Sequence, residues 1–123
     1  MVLIDANAIL RVILNDNADM AMETVEFIKQ SQVLIRNEIL AEIVFVLQKV
    51  YKVSKADICK SMASIMETAN INAEDKDVAL SALKTFKDKN LDFADCLLFA
   101  YYSVYGIGVF TFDEGLRRLM ITG

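Results

Sequence analysis

The sequence predicts an α/β protein, a three-layer α/β/α sandwich around a central parallel sheet, formed as one domain over residues 1–123. Three observations carry that prediction. Short apolar runs rich in strand formers, Val2-Leu3-Ile4 and Val33-Leu34-Ile35, alternate with longer segments of helical periodicity. Neither run shows the polar alternation of a half-exposed strand, as expected for parallel strands buried on both faces beneath crossover helices. Finally, 123 residues with 55% hydrophobic side chains suit a single core.

The elements follow in order. Residues 2–4 read as a buried strand that ends at Asp5. Residues 6–14 and 18–30 read as helices, the second with Met22, Val25, Phe27 and Ile28 at roughly helical spacing. Residues 33–35 form the second buried strand. Asn37 is placed to cap a long helix to about residue 50, and Ser54 to cap another through Met66, with Asp57 three residues on as in a capping box. A weaker strand falls at 69–71. Helices are predicted over 75–87 and 92–105, the latter stopped by Gly106. Residues 109–111 read as a strand and 115–120 as a final helical turn or two.

Composition closes several routes. No apolar stretch approaches the ~20 residues of a membrane span. An acid stands where a signal peptide would carry bases, so the chain is expected to stay in the cytoplasm. Cys59 and Cys96 form neither a CxxC pair nor a Cys/His cluster, and with no histidine in the chain, His-based triads and His-ligated zinc are excluded. Four glycines, spread as Gly106, Gly108, Gly115 and Gly123, make no phosphate-cradling loop. The net charge of −4 has the wrong sign for holding nucleic acid by bulk attraction.

Four acids stand out by position. Asp5 ends the first strand, where it could equally cap the following helix. Glu42 is the sole charge in Ile39-Leu40-Ala41-Glu42-Ile43-Val44-Phe45-Val46-Leu47. Desolvated there it would need a cation, whereas on a helix edge it would reach solvent or pair with Lys49. Asp95 is the sole charge from Phe93 to Tyr105, with Asp92 on the same helix face as either a partner or the cap. Asp113 follows the strand predicted at 109–111 as Asp5 follows the first, and could instead be a turn residue. Ligands in parallel α/β sheets bind at the carboxyl ends of the strands. If these acids converge there, a metal must neutralise them, and an all-oxygen donor set favours Mg²⁺ or Mn²⁺. Such an ion lowers the pKa of bound water, clamps phosphodiester oxygens and makes an acidic protein locally attractive to phosphate.

The segments LIDANAILR, ILAEIVFVL, LDFADCLLFA and VFTFDEGLRR, taken in order, resemble the PIN-domain ribonucleases, most closely the small VapC-type toxins of prokaryotic toxin–antitoxin systems. The resemblance spans almost the whole chain. It implies that Asp5, Glu42, Asp95 and Asp113 are the metal-binding acids, with Asn7 and Thr111 as supporting polar residues and Asp92 as an outer carboxylate. It further implies Mg²⁺-dependent cleavage of RNA, homodimerisation and inhibition by a cognate antitoxin protein. Among the departures from that pattern, Arg36-Asn37 stands where many relatives carry a proline-containing segment.

Arg11, Arg117 and Arg118 lie just past the first and last acids and are candidate phosphate contacts, or else solvated surface charges. Phe99, Tyr101, Tyr102, Tyr105, Met20 and Met22 read as core, with a dimer or antitoxin surface as the functional option. The competing readings are a catalytically silent PIN-like module that binds RNA or protein, and a haloacid-dehalogenase-like phosphatase or receiver domain. The phosphatase expects an aspartate where this chain has Asn7.

Overall fold

The computed structural model describes residues 1–122. The chain divides into two compact units, one spanning Met1–Glu74 and one beginning at Asp75.

The first unit carries an all-parallel sheet in the order β1-β2-β3, with β1 Val2–Leu3, β2 Val33–Ile35 and β3 Ile71–Ala73. Val2 is in register with Val33, and Val33 with Ile71. Four helices accompany the strands: α1 Ala6–Leu14, α2 Ala18–Gln30, α3 Asn37–Phe45 and α4 Lys55–Met66. The α/β class and the parallel sheet are as the sequence predicts. So are the bounds of α1 and α2, whose caps are local: the Asp5 carboxylate accepts from Ala8 N–H at 2.9 Å and the side-chain amide oxygen of Asn17 from Met20 N–H at 3.1 Å. Ser54 caps α4 by accepting from Asp57 N–H at 3.1 Å, again as expected. Ile9, Val33, Ile35, Leu40, Ile43, Leu47, Ile58 and Met62 are buried in this unit.

Four details differ. The first residue of α3 is Asn37, and the cap position falls to Arg36, whose side chain makes no capping bond and instead pairs with Glu38 at 3.1 Å. The long helix predicted to residue 50 passes at Val46–Val50 into a π-helical turn, a form that widens the backbone ring. The third strand starts at Ile71 rather than 69, because Asn70 takes φ +72, left-handed backbone that no strand accommodates. Val2 and Leu3 of β1 are exposed where burial was expected, and only Ile4 beyond them is buried.

The second unit comprises α5 Lys76–Asp88, α6 Phe93–Tyr105 and α7 Glu114–Thr122. Val78, Ala82, Leu83, Phe86, Cys96, Ala100 and Leu116 are buried in it. Gly106 ends α6 in left-handed backbone, φ +70, as a C-terminal glycine should. Tyr102 Oη donates to Met120 O at 3.2 Å, tying α7 to α6. The strand expected at 109–111 does not form: residues 106–113 are neither helix nor strand, and Phe110 is 87% exposed. Apolar character had suggested a strand, but a strand also needs a partner edge, and none pairs with this segment among the described residues.

Asp75 caps α5 by accepting from Val78 N–H at 3.0 Å, and Tyr105 Oη donates to its other oxygen. These donors, Tyr105 first, hold the Asp75 carboxyl below the usual aspartate range. A lowered folded pKa contributes stability above the unfolded value of about 3.9 and loses it as pH falls. Asp75→Ala is therefore expected to cost about 1 kcal/mol at neutral pH, the usual loss of a cap. In urea melts the difference from wild type should shrink toward pH 2; a pH-independent difference would remove the charged cap as its cause.

Candidate active site

In the second unit the acids Asp92, Asp95 and Asp113 gather around the start of α6. Asp92 occupies the cap position of α6 yet makes no capping hydrogen bond with its side chain, so its charge is left to act on its neighbours. Asp95 stands one turn on and is half-buried. Asp113 caps α7, its Oδ1 accepting from Leu116 N–H at 2.8 Å, while its own N–H donates to Thr111 Oγ1 at 3.0 Å. The burial of Leu116 and the Tyr102–Met120 bond hold α7 against α6, which sets Asp113 within electrostatic range of Asp95. Burial, then the negative charges of Asp113 and Asp92, push the Asp95 carboxyl above the usual aspartate range. No ion pair to any of these three acids occurs among the described residues.

The first unit carries the other predicted acids. Asp5 follows β1 directly, exposed, with one oxygen committed to the α1 cap. It borders a hollow of about 260 Å³ with Arg36 and Glu38, and Arg36 bridges Glu38 at 3.1 Å and Glu74 at 3.8 Å. Asn7 is exposed in the first turn of α1. Glu42 is exposed, so the cost of desolvating it, which made it notable in the sequence, does not arise. The face it shares with Glu38 and Phe45 is the outer face of α3, where even Phe45 is 59% exposed.

The three arginines separate. Arg11 is spoken for: its Nη1 donates to both Asp16 oxygens at 2.8 and 2.9 Å. Arg117 donates from Nε to Thr111 O at 2.7 Å and lies over the Phe112 ring, 5.4 Å from its centre. Arg118 alone has no ion pair or side-chain hydrogen bond among the described residues, and it lines a hollow of about 390 Å³ with Lys89, Asn90 and Gly115. Neither cysteine is in a disulfide, Cys96 being buried and Cys59 half-buried. Of the aromatic and methionine residues expected in the core, Phe99 is buried, whereas Met20, Met22 and Tyr105 are exposed.

The donor chemistry suits a hard divalent cation. Carboxylates are the only anionic side chains grouped around Asp95, histidine is absent, and the crowding that raises the Asp95 pKa is what a bound cation relieves. Among the described residues no three Asp, Glu or Cys side chains are already drawn together as a ligand cage. Asp95 with Asp113 is thus the acid pair whose environment fits an ion.

Comparison with curated proteins and with solved structures yields no match. The family model for the PIN domain matches residues 2–120 and so runs through both compact units and all four of the predicted acids. The chain belongs to the PIN-domain family.

Proposed function

We propose that this PIN-domain protein is a Mg²⁺-dependent endoribonuclease that hydrolyses RNA phosphodiester bonds in the cytoplasm, as the toxin of a toxin–antitoxin pair. The family sets the coarse class, since PIN domains are generally nucleases and typically use divalent metals, and it carries the three-layer α/β/α fold class with it. One model spanning residues 2–120 supports treating both units as one domain. The observation that carries the metal-dependent reading is Asp95, an acid raised by its burial and then by two like charges, with no ion pair to a basic side chain among the described residues.

Asp5, Glu42, Asp95 and Asp113 are the acids the resemblance assigns to the ion, with Mn²⁺ as the natural substitute. When bound, Mg²⁺ supplies a water of lowered pKa and positive charge against the phosphate oxygens. The chain's own part is to place carboxylates of fixed orientation. The Leu116 N–H holds one Asp113 oxygen, leaving the other available, and Thr111 fixes the Asp113 backbone. Asp92 keeps the field at Asp95 negative, favouring a cation over a proton once pH exceeds the raised pKa. Asn7 is assigned a supporting polar role. No membrane helix intrudes: none among the described residues is long and apolar enough to cross a bilayer. A homodimer and a cognate antitoxin are the partners this reading expects.

The test is direct. Incubated with mixed RNA substrates, the protein should cleave with Mg²⁺ or Mn²⁺ and stop with EDTA. Cleavage unaffected by EDTA would sink the metal-dependent reading, and tight RNA or protein binding without cleavage would establish a silent module instead.

A further inference from the structure

The helix α3 begins without a cap of its own. Its cap position is Arg36, whose side chain makes no capping hydrogen bond, yet the first turn of a helix leaves backbone N–H groups that need acceptors. One acceptor comes from elsewhere in the chain. Glu74, directly after β3, takes the Asn37 N–H on its Oε1 at 3.1 Å, from 37 positions away in sequence. Its own N–H donates to Ile35 O at 3.2 Å. Glu74 is thus tied to the end of β2 by its backbone and to the start of α3 by its side chain. Arg36 closes the group, its Nε donating to Glu38 Oε1 at 3.1 Å and lying 3.8 Å from Glu74 Oε1. The Glu38 backbone N–H first, and then the Arg36 bond, hold the Glu38 carboxyl below the usual glutamate range. Glu38 is therefore charged and committed, and Glu42 stands one turn on along the same face.

We propose that Glu74 is a positioning residue for the metal site: by capping α3 from the end of β3, it fixes where Glu42 stands relative to Asp5 at the carboxyl ends of the strands. The inference rests on the endoribonuclease reading, in which Asp5 and Glu42 serve the ion, and adds to it the residue that orients the helix between them. Leu40, Ile43 and Val44 bury the inner face of α3, but apolar packing is non-directional, whereas a hydrogen bond to a charged acceptor is directional and stronger than a neutral one. The ion pair with Arg36 is loose and between partly exposed side chains, so it contributes little by itself. The bond to the Asn37 N–H is what the Glu74 carboxylate supplies. Asp5 borders one hollow with Arg36 and Glu38, which sets the clasp beside the first of the predicted acids.

Two measurements test this on the whole chain: Mn²⁺ binding by titration calorimetry, at a temperature where every variant is folded, and amide resonances and hydrogen exchange by NMR without metal. Glu74→Ala should weaken Mn²⁺ binding roughly tenfold, the lower end of the cost of losing an orienting partner, and should speed exchange of the Asn37 amide. Glu74→Gln keeps an oxygen for that N–H and gives up only the loose pair with Arg36, so it should recover most of both losses. A glutamate that serves stability alone would lower the melting temperature of the alanine variant and leave the Mn²⁺ affinity of the folded protein unchanged. That result, or a glutamine variant as weak as the alanine one, would overturn the proposal. If wild type binds no Mn²⁺, the metal-dependent reading fails, and the Glu42 amide of the metal-free protein decides this inference separately. A resonance moved by Glu74→Ala and restored by Glu74→Gln upholds the placement of Glu42, and one that neither variant moves overturns it.

Discussion

Asp95→Asn is expected to remove metal-dependent RNA cleavage by roughly 10²–10³-fold or more, the scale of losing one preorganised electrostatic group, and to make the folded protein more stable at neutral pH. The second half distinguishes the reading from mere damage. Asp95 is half-buried beside Asp113 and Asp92, and its carboxyl is raised by burial first and by those charges next. A carboxyl raised on folding binds protons more tightly in the native state, so stability falls as pH rises from the unfolded value through the folded one. Above that range the full penalty of the charged form is present, and asparagine, equal in shape and uncharged, escapes it. The gain should be present at pH 7 and should fade as pH falls below the unfolded value of about 3.9, where the wild-type carboxyl is also neutral. Mg²⁺ should reverse the ranking. An ion at 100 times its dissociation constant adds about 2.7 kcal/mol to a protein that binds it only when folded. Wild type should therefore gain in melting temperature with Mg²⁺ and Asp95→Asn should not. A variant that is less stable at both pH values, or that keeps the Mg²⁺ shift, would show Asp95 to be a structural acid.

What could be read in the sequence divides by the range of the interaction involved. Caps are local, so Asp5, Ser54 and Gly106 set element ends within a residue of where the pattern placed them. Strands depend on partners, and this is where the pattern failed. Val2-Leu3 looks as buried as Val33-Leu34-Ile35 but is exposed, and 109–111 has strand-like residues without a strand to pair with among the described residues. Glu42 illustrates a subtler limit. Its apolar neighbours suggested desolvation, yet Phe45 is itself exposed, and an apolar neighbour is evidence of burial only when the neighbour is buried. Asp95 and Glu42 have similar neighbours in sequence, each next to a fully buried residue and three residues before an exposed one, Leu98 and Phe45, and only the fold shows that Asp95 itself is half-buried and Glu42 is not.

The arginines show what sequence spacing cannot carry at all. Arg11, Arg117 and Arg118 were equivalent as charges next to acids. Only tertiary geometry shows that Arg11 is held by Asp16, that Arg117 braces Phe112 and that Arg118 is left facing a hollow. The exposure of Phe110 was missed for the same reason, since assigning it to the strand at 109–111 placed it in a core. The available signal was Gly106 and Gly108, two breakers directly before the apolar run, which argue against continuing regular structure there.

Phe86→Ala should destabilise the protein by about 3–5 kcal/mol, the largest stability effect expected of any single truncation in the second unit. Phe86 is the bulkiest fully buried side chain, at 1% exposure, and meets Phe93 edge to face, with ring centres 5.7 Å apart and planes at 82°. Truncation removes its buried area and the aromatic pair term together, and helices on either side cannot collapse onto the space without moving their backbones. Against a total stability of about 5–15 kcal/mol, such a loss is a third or more. The site should feel it as well, because Phe93 begins α6 and Asp95 stands two residues later. A first turn no longer pinned by Phe86 would let the Asp95 carboxyl relax away from Asp113. Phe86→Leu, which keeps most of the volume, should retain more than half of the stability lost by the alanine variant and restore the acid-pair signature. That signature is the Asp95-dependent fall in stability with rising pH, compared between Phe86→Leu and Phe86→Ala at a temperature where both are folded. If the alanine variant loses stability while keeping the full pH dependence, the core and the acid pair are mechanically independent, and Phe86 supports the fold without positioning the site.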